Sequence, residues 1–173
     1  VIVAGGYAVY IQYCWQKFTS KARHTVKGSR KTKLTIKKIN GKKLDLKKSY
    51  RIYVAAYQYS GGKKVTLGKS ITIHFAAKNS KKYTNAKAVN VQKASFTLKK
   101  GKTAQIKPKT TLFHKMKKLL PENHAKRYRY LSSSPAIASV SKTGKIKAKK
   151  KGACTICVFA QNGCKRKIKV KVQ

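Results

Sequence analysis

The last third of the chain alternates apolar and polar residues with a period of two. Ala138 and Val140 alternate with serines, and Ile146 and Ala148 alternate with lysines after a turn at residues 142–144. Successive side chains of a β-strand point to opposite faces of its sheet, so the apolar residues share one side and the lysines share the other. This pattern predicts an antiparallel sheet with one buried face and one lysine-covered face.

Two longer strands follow, joined by a turn at residues 161–163. Their predicted inward residues are Cys154, Ile156, Val158 and Ala160 on the first strand and Ile168, Val170 and Val172 on the second. A two-residue turn would pair the outward Cys157 with the inward Ile168. A three-residue loop with Gly163 at a bulge removes this conflict and predicts Ile156 opposite Ile168.

Between about Thr110 and Glu122 the period of two is interrupted. Apolar residues recur there at three- and four-residue spacing, with lysines between them: Leu112, Phe113, Met116, Leu119 and Leu120. Pro121 ends the run, so we predict a short amphipathic helical insertion near 110–122 that covers one end of the sheets.

Residues 1–76 form a second block with strand patterning. Alternation over residues 7–12, 34–36, 50–56 and 71–73 predicts strands, and the Gly-Gly pair at 61–62 predicts a hairpin turn. Residues 77–87, AKNSKKYTNAK, have no apolar period and are interpreted as a linker. We therefore expect domains at 1–76 and 88–173.

Three segments of the C-terminal block resemble the end of a group 2 bacterial immunoglobulin-like domain. They read SSSPAIASV at 132–140, GKIKAK at 144–149 and GACTICV at 152–158. Upstream, residues similar to that family's opening hairpin are Phe96, Leu98, Gly101, Ala104 and Ile106. The resemblance implies a β-sandwich and, since the family occurs in invasin-like and other bacterial surface proteins, an extracellular or cell-surface location.

The N-terminal block resembles a fibronectin type III domain. GYAVY at 6–10 is similar to its third strand, and LKKSYRIYV at 46–54 is similar to the strand that holds its corner tyrosine, here Tyr50. No segment before Gly5 matches the first two strands. The expected fold is therefore all-β, with two immunoglobulin-like β-sandwiches in tandem, the first lacking its N-terminal strands. We predict that upstream chain or a neighbouring copy completes that sandwich, because an open sheet edge otherwise promotes aggregation.

The charge of the chain is extreme. Lys and Arg number 44 against two acids, Asp45 and Glu122, which gives a formal net charge of +42. Such a chain is expected to bind something anionic, whether a cell-wall polymer, an acidic glycan or nucleic acid. Since most of these cations are lysines, which are hydrated point charges, the attraction is expected to be nonspecific.

Two basic stretches are the candidate binding surface. Residues 126–130, KRYRY, interleave cations with rings, and lysines alternate along two strands that we place next to each other. The candidate polyanion-binding residues are Lys126, Arg127, Tyr128, Arg129, Tyr130, Lys145, Lys147, Lys149, Lys165, Arg166, Lys167 and Lys169. The alternative interpretation, a lysine-rich soluble surface, explains this arrangement of basic residues equally well.

The sequence offers no catalytic, cofactor or metal site. Cys154 and Cys157 lie three positions apart, so on a strand their thiols point to opposite faces and cannot bind one metal. Cys154 and Cys164 share a face but lie about 15 Å apart, beyond disulfide reach, which predicts free thiols. Two carboxylates cannot build a hydrolase pair or a calcium loop, and the histidines have no ligand spacing. No apolar run approaches the ~20 residues of a membrane-spanning helix.

Two functions remain. The first is a non-enzymatic extracellular spacer or adhesion module of a bacterial surface or secreted protein, with a cationic surface that binds anionic polymers nonspecifically. The alternative is a nucleic-acid-binding protein in which the same lysines neutralise phosphates.

Overall fold

The computed structural model describes residues 4–173, and all of the regular secondary structure in these residues is β-strand. The chain divides into two compact units, Val1–Tyr83 and Thr84–Gln173, and this boundary falls inside the predicted linker. The all-β fold predicted from the alternating pattern is confirmed.

The first unit is built on a single five-stranded sheet. Its strands are β1 (Gly6–Tyr13), β2 (His24–Lys27), β3 (Lys38–Ile39), β4 (Lys42–Lys43), β5 (Ser49–Ser60), β6 (Lys63–Lys69) and β7 (Ile73–Ala76). The order is β2-β1-β5-β6, with β7 also paired to β5. Among the described residues of this unit, the other sheet is only the two-stranded β3–β4 ribbon. This unit is therefore less than a full sandwich.

Small apolar clusters cover the two faces of that five-stranded sheet. One cluster contains Ile11, Ile39 and Tyr50, and the other contains Ala8, Ala55 and Tyr57. The hydroxyl of Tyr50 donates a hydrogen bond to the carbonyl oxygen of Asp45 at 3.0 Å. This bond has the geometry predicted for a corner tyrosine, and it ties the start of β5 to the preceding loop.

The strand predicted at residues 34–36 does not form. Residues 31–37 have no regular structure, and Leu34 is 44% exposed. The physical reason is that residues 31–34 lie beside Val9 and Val54 on one face of the five-stranded sheet, where the segment has no strand edge to pair with. Completion of the domain by upstream chain or by a neighbouring copy stays a prediction.

The second unit contains nine strands. They are β8 (Ala86–Val91), β9 (Ser95–Leu98), β10 (Thr103–Gln105), β11 (Pro108–Leu112), β12 (Tyr128–Ser132), β13 (Ala138–Val140), β14 (Lys145–Ala148), β15 (Gly152–Ala160) and β16 (Lys165–Val172). One sheet has the strand order β12-β15-β16-β9, a second has the order β10-β14-β13, and β11 pairs with β8 in a ribbon. All pairings in this unit are antiparallel except that of β9 with β16.

The inward faces of the two larger sheets share one core. Ile146 of β14, Ile156 of β15 and Ile168 of β16 each have 0% of their surface exposed and belong to one apolar cluster. The predicted register is confirmed, because Ile156 lies opposite Ile168 and the β15–β16 turn closes at Gly163 with φ 84°. The alternation along these strands therefore places the lysines in solvent and the branched residues inside.

The predicted helix near 110–122 is wrong. Residues 108–112 form strand β11, in which Thr110 lies opposite Val89 of β8, and turns follow it. The three- and four-residue spacing does not mark a buried helix face, since Met116 is 96% exposed and Phe113 is 60% exposed. A helix of this length needs an apolar face packed on the core, and here pairing with β8 satisfies the backbone of the first residues instead.

The predicted opening hairpin is also wrong. Phe96 of β9 lies opposite Val170 of β16, whereas Ala104 of β10 lies opposite Ile146 of β14. The two strands belong to different sheets, and the turn between them contains Gly101 at φ 82°. Both strands pack on the same core, one from each sheet. The alternating pattern shows that a strand has a buried face but not which of the two sheets contains it.

Substitution of two turn glycines distinguishes the cost of a left-handed backbone from the cost of a steric clash. Gly101 and Gly144 have φ values of 82° and 84°, but an added Cβ would meet nothing within 4 Å at Gly101 and would lie 2.8 Å from the ring of Tyr130 at Gly144. We predict that Gly101→Ala lowers the free energy of unfolding by about 1–2 kcal/mol, from the left-handed backbone alone. Gly144→Ala is expected to cost roughly 1–3 kcal/mol more, because the Tyr130 ring must move.

The measurement is urea unfolding of the full chain, followed through the amide NMR signals of β15 and β16. Combining Gly144→Ala with Tyr130→Leu should remove most of the excess destabilisation. Equal destabilisation by the two glycine variants would show that the Tyr130 contact has no energetic weight.

Candidate polyanion interface

A row of four lysines covers the outer face of β16. The row consists of Lys165, Lys167, Lys169 and Lys171, which are all exposed. In the second half of the strand they alternate with the buried Ile168, Val170 and Val172. Alternate residues on a strand lie about 7 Å apart, so the row extends about 20 Å. The inward side chains fix the strand in the core, and therefore they also fix the direction in which these lysines point.

Neutral residues flank the lysine row. On β15, Phe159, Cys157 and Thr155 lie opposite Lys165, Lys167 and Lys169 respectively. On β9, Ser95 and Thr97 lie opposite Lys169 and Lys171. The two acids of the chain, Asp45 and Glu122, lie on none of these strands. No acidic side chain on these strands therefore offsets the charge of the row.

The structure separates the two predicted lysine groups. Lys145 and Lys147 lie on the exposed side of β14, which belongs to the other sheet, and Lys149 follows that strand. Because the inward residues of both sheets share one core, the two groups cover opposite faces of the sandwich. Their predicted placement on neighbouring strands is therefore wrong: alternation fixes the face of a strand but not its neighbours.

Arg166 differs from the lysines beside it. It lies opposite Val158, an inward residue, yet it is exposed at the end of the sheet. Arg166 therefore adds a positive charge at the end of the sandwich and is not part of the lysine row on the outer face of β16.

The rings of the 126–130 stretch are directed inward. The hydroxyl of Tyr128 lies 2.7 Å from Oγ1 of Thr110, and Tyr130 packs against the core and over Gly144. Burial raises the pKa of Tyr130, and Tyr128 adds to that shift. Both half-buried tyrosines therefore pack on the sandwich core, and neither ring stands free on the outer face of the sheet.

The cations of the same stretch have unequal roles. Arg129 donates from Nη2 to the carbonyl oxygens of Ala160 and Gln161 at 3.3 and 3.4 Å, and burial lowers its pKa. Arg127 pairs with Glu122, with Nε 3.0 Å from Oε1. Lys126 is exposed. Of the candidate residues in this stretch, Lys126 and Arg127 are accessible to a polymer.

An aromatic and cationic cluster in the first unit was not predicted. Tyr10 and Tyr53 stack with ring centroids 4.5 Å apart, Phe18 meets Tyr53 edge-on, and the guanidinium of Arg51 lies 4.2 Å over the Phe18 ring. Burial raises the pKa of Tyr53, and Tyr10 adds to that shift. The signal available in the sequence was the shared parity of Tyr10 and Tyr53 on two paired strands.

The cysteines and histidines do not assemble into a centre. Within residues 4–173, no group of three or more His, Cys, Asp or Glu side chains could hold a metal ion. Cys154 lies in the core and Cys157 is half-buried on the outer face, as alternation along the strand predicted. The described part of the chain also contains no helix long and apolar enough to cross a membrane.

Two β-sheets closed around one core, with alternating inward residues, define the second unit as an immunoglobulin-like β-sandwich. Residues 85–170 match the family profile of the bacterial Ig-like domain (group 2), so the second unit is a domain of this family. Domains of this family are generally non-catalytic structural or adhesion modules.

Comparison with solved structures finds similar chains at low sequence identity. The S-layer protein rSbsC(31-844) is 15% identical with a TM-score of 0.43, and the match covers 99% of this chain and 21% of that one. SbsC domains 4 and 5 are 16% identical with a TM-score of 0.42, covering 91% and 86% of the two chains. The C-terminal 282-residue fragment of intimin, solved with the intimin-binding domain of its translocated receptor, is 11% identical with a TM-score of 0.37, covering 98% and 52%. This chain thus spans about a fifth of the S-layer chain and half of the intimin fragment. Comparison with curated protein sequences finds no match.

The four thiols are predicted to differ in reactivity. Cys157 and Cys164 are half-buried, whereas Cys14 and Cys154 are buried. Burial raises the pKa of Cys14 to about 12, with Arg51 opposing the shift, so this thiol stays protonated at pH 8. An unfolded thiol ionises near the ordinary pKa of 9.0, so burial of Cys14 makes folding less favourable as the pH rises above that value.

Iodoacetamide treatment of the native chain at pH 8, followed by peptide mass spectrometry, should modify Cys157 and Cys164 first. Cys14 and Cys154 should react only in denaturant. An intrachain disulfide, or early labelling of Cys154, would contradict the β15–β16 register.

Proposed function

We propose that this chain is a non-enzymatic spacer and adhesion module of a bacterial surface or secreted protein, which binds anionic polymers through charge. The observation that carries the proposal is the lysine row on β16, four exposed cations on a buried scaffold with no acidic side chain on the flanking strands. Membership of the group 2 bacterial Ig-like family supports the surface location and the absence of catalysis.

The row suits a linear anion because its charges are evenly spaced and held by the sheet. Neighbouring lysines lie about 7 Å apart, within the ~8 Å Debye length at physiological ionic strength, so a polymer along β16 meets several cations at once. Each exposed ion pair contributes only about 0–1 kcal/mol, and affinity therefore depends on the number of ion pairs formed. Binding should weaken steeply as salt rises.

The lysines favour attraction without selection among polymers. Ammonium groups act as point charges, whereas reading a particular anion uses the planar fork of arginine. The flanking Thr155, Cys157 and Phe159 offer one hydroxyl, one thiol and one ring along the row. Wall polymers, acidic glycans and nucleic acids are therefore all expected ligands of this face.

The alternative, a dedicated nucleic-acid-binding protein, has less support. Sequence-tolerant binding of single strands uses exposed rings on which bases stack. Of the two rings expected to serve this purpose, Tyr130 packs against the core, and Tyr128 is half-buried with its hydroxyl bonded to Thr110. The lysine row, with the single ring of Phe159 beside it, offers phosphate neutralisation to any polyanion.

The test compares two variants of the full chain with equal charge. One replaces Lys165, Lys167, Lys169 and Lys171 with Gln, and the control replaces the exposed Lys102, Lys107, Lys142 and Lys150 with Gln. Binding to heparin, glycerol-phosphate wall polymer and duplex DNA is measured across a salt series. We predict that the β16 variant binds at least about tenfold more weakly to all three and that the control changes less. The salt slope for DNA should fall by roughly one for each phosphate that the variant no longer neutralises.

Equal weakening in both variants would mean that total charge, and not the row, determines binding. A strong preference for DNA over the other polymers near physiological salt would favour the nucleic-acid alternative.

A further inference from the structure

A second candidate site lies where the predicted helix is absent. Strand β11 and the segment that follows it line an open groove of about 670 Å³. Pro108, Lys109 and Leu112 line it from β11, and the segment from Lys117 to Glu122 lines it from the opposite side. Its volume falls within the roughly 300–1,000 Å³ typical of small-molecule sites.

The walls of the groove are held in place by distant residues. Gln161, which is 3% exposed in the β15–β16 turn, donates both side-chain hydrogen bonds across the fold, to the carbonyl oxygens of Leu120 at 2.8 Å and Ala125 at 2.6 Å. The backbone N–H of Thr84 donates to the carbonyl oxygen of Lys118 at 2.9 Å. A preformed site of this kind loses little conformational entropy when a ligand binds.

The lining combines cations with aliphatic surface and hydroxyls. Four basic residues line the groove: Lys109, Lys117, Lys118 and Arg127. Leu112 and Leu119 provide apolar surface, and the hydroxyls of Thr110 and Tyr128, which also line the groove, are hydrogen-bonded to each other. A sugar ring presents C–H faces together with hydroxyl groups, and an acidic sugar adds a carboxylate or a sulfate, so each kind of group has a counterpart here.

Arg127 is the residue best placed to bind an anionic group. Its Nε lies 3.0 Å from Oε1 of Glu122, a carboxylate that also lines the groove. A guanidinium has five N–H donors in a rigid fork, so this pairing orients the group and leaves donors for a second anion. Four cations against one carboxylate keep the groove positive.

We propose that this groove binds an acidic oligosaccharide, with its carboxylate or sulfate groups held by Arg127 and Lys118 and its ring faces against Leu112 and Leu119. This goes beyond the proposed function, because the groove shares no residue with the lysine row on β16. A short oligosaccharide should saturate the groove at one per chain, whereas the row requires a long polymer to gain affinity.

The test is calorimetric titration of the full chain at about 0.15 M salt with three tetrasaccharides. Tetragalacturonate carries carboxylates, a heparin-derived tetrasaccharide adds sulfates, and cellotetraose is neutral. We predict saturable one-to-one binding of at least one acidic tetrasaccharide and none of cellotetraose. Arg127→Ala should weaken binding about tenfold to a hundredfold, the range of a hydrogen bond to a charged group.

Two further variants separate the fork of Arg127 from its charge. Arg127→Lys keeps the charge but loses the planar donors, so binding should still fall about tenfold. The matched control Lys142→Ala removes one exposed cation from the turn before β14 and should change affinity by less than about twofold. Amide NMR shifts on saturation should map to Thr110, Leu119 and Arg127, with the signals of β15 retained in every variant as evidence of folding.

Failure of both acidic tetrasaccharides to bind would overturn the proposal. Equal weakening by Arg127→Ala and Lys142→Ala would also overturn it, as would shifts that map to the β16 lysines. The two proposals can fail separately. If long heparin binds through β16 but no tetrasaccharide binds in the groove, the proposed function is retained and only the groove proposal is rejected.

Discussion

Burial of Ile146, Ile156 and Ile168 in one interior is the constraint on which the rest of the second unit depends. These residues come from both sheets, and the period of two then directs the residues between them outward. On β14 and β16 those outward residues are lysines. A chain with a net charge of +42 can fold in this way because its charges stay hydrated while the apolar rows close.

The first unit meets the same requirement only in part. Its five-stranded sheet has apolar residues on both faces, but these form two small clusters in place of one enclosed core. Tyr50, which is 1% exposed and bonded to the backbone of Asp45, stabilises one end of β5 locally. Leu34 is exposed and residues 31–37 are irregular, so this segment adds no strand to the described sheets of the unit. The two units thus show the same sequence pattern with and without a full opposing sheet.

Where the period of two is strict, the buried face of each strand could be predicted from the sequence, but sheet neighbours beyond a single hairpin could not. The Ile156–Ile168 register and the core position of Cys154 were predictable, because both follow from alternation within one hairpin. Lys147 and Lys167 were predicted to lie on neighbouring strands, but they lie on opposite faces of the sandwich. Alternation does not specify which strands pair, because strand pairing depends on contacts between distant parts of the chain. Tyr130 can point inward because Gly144 has no side chain where the tyrosine ring packs. This contact joins residues 14 positions apart and cannot be predicted from alternation. The groove was missed for a similar reason: Gln161 holds a segment 36 to 41 residues away in the chain.

The central claim, one core closed by two sheets, is tested most directly by native-state hydrogen exchange of the full chain. If β14 and the β15–β16 hairpin share an interior, their slowest amides open only when the whole unit unfolds, and they should exchange with the same free energy of opening. Rapid exchange throughout β14, with β15 and β16 still protected, would contradict the account, because it would show that the second sheet is not part of the core.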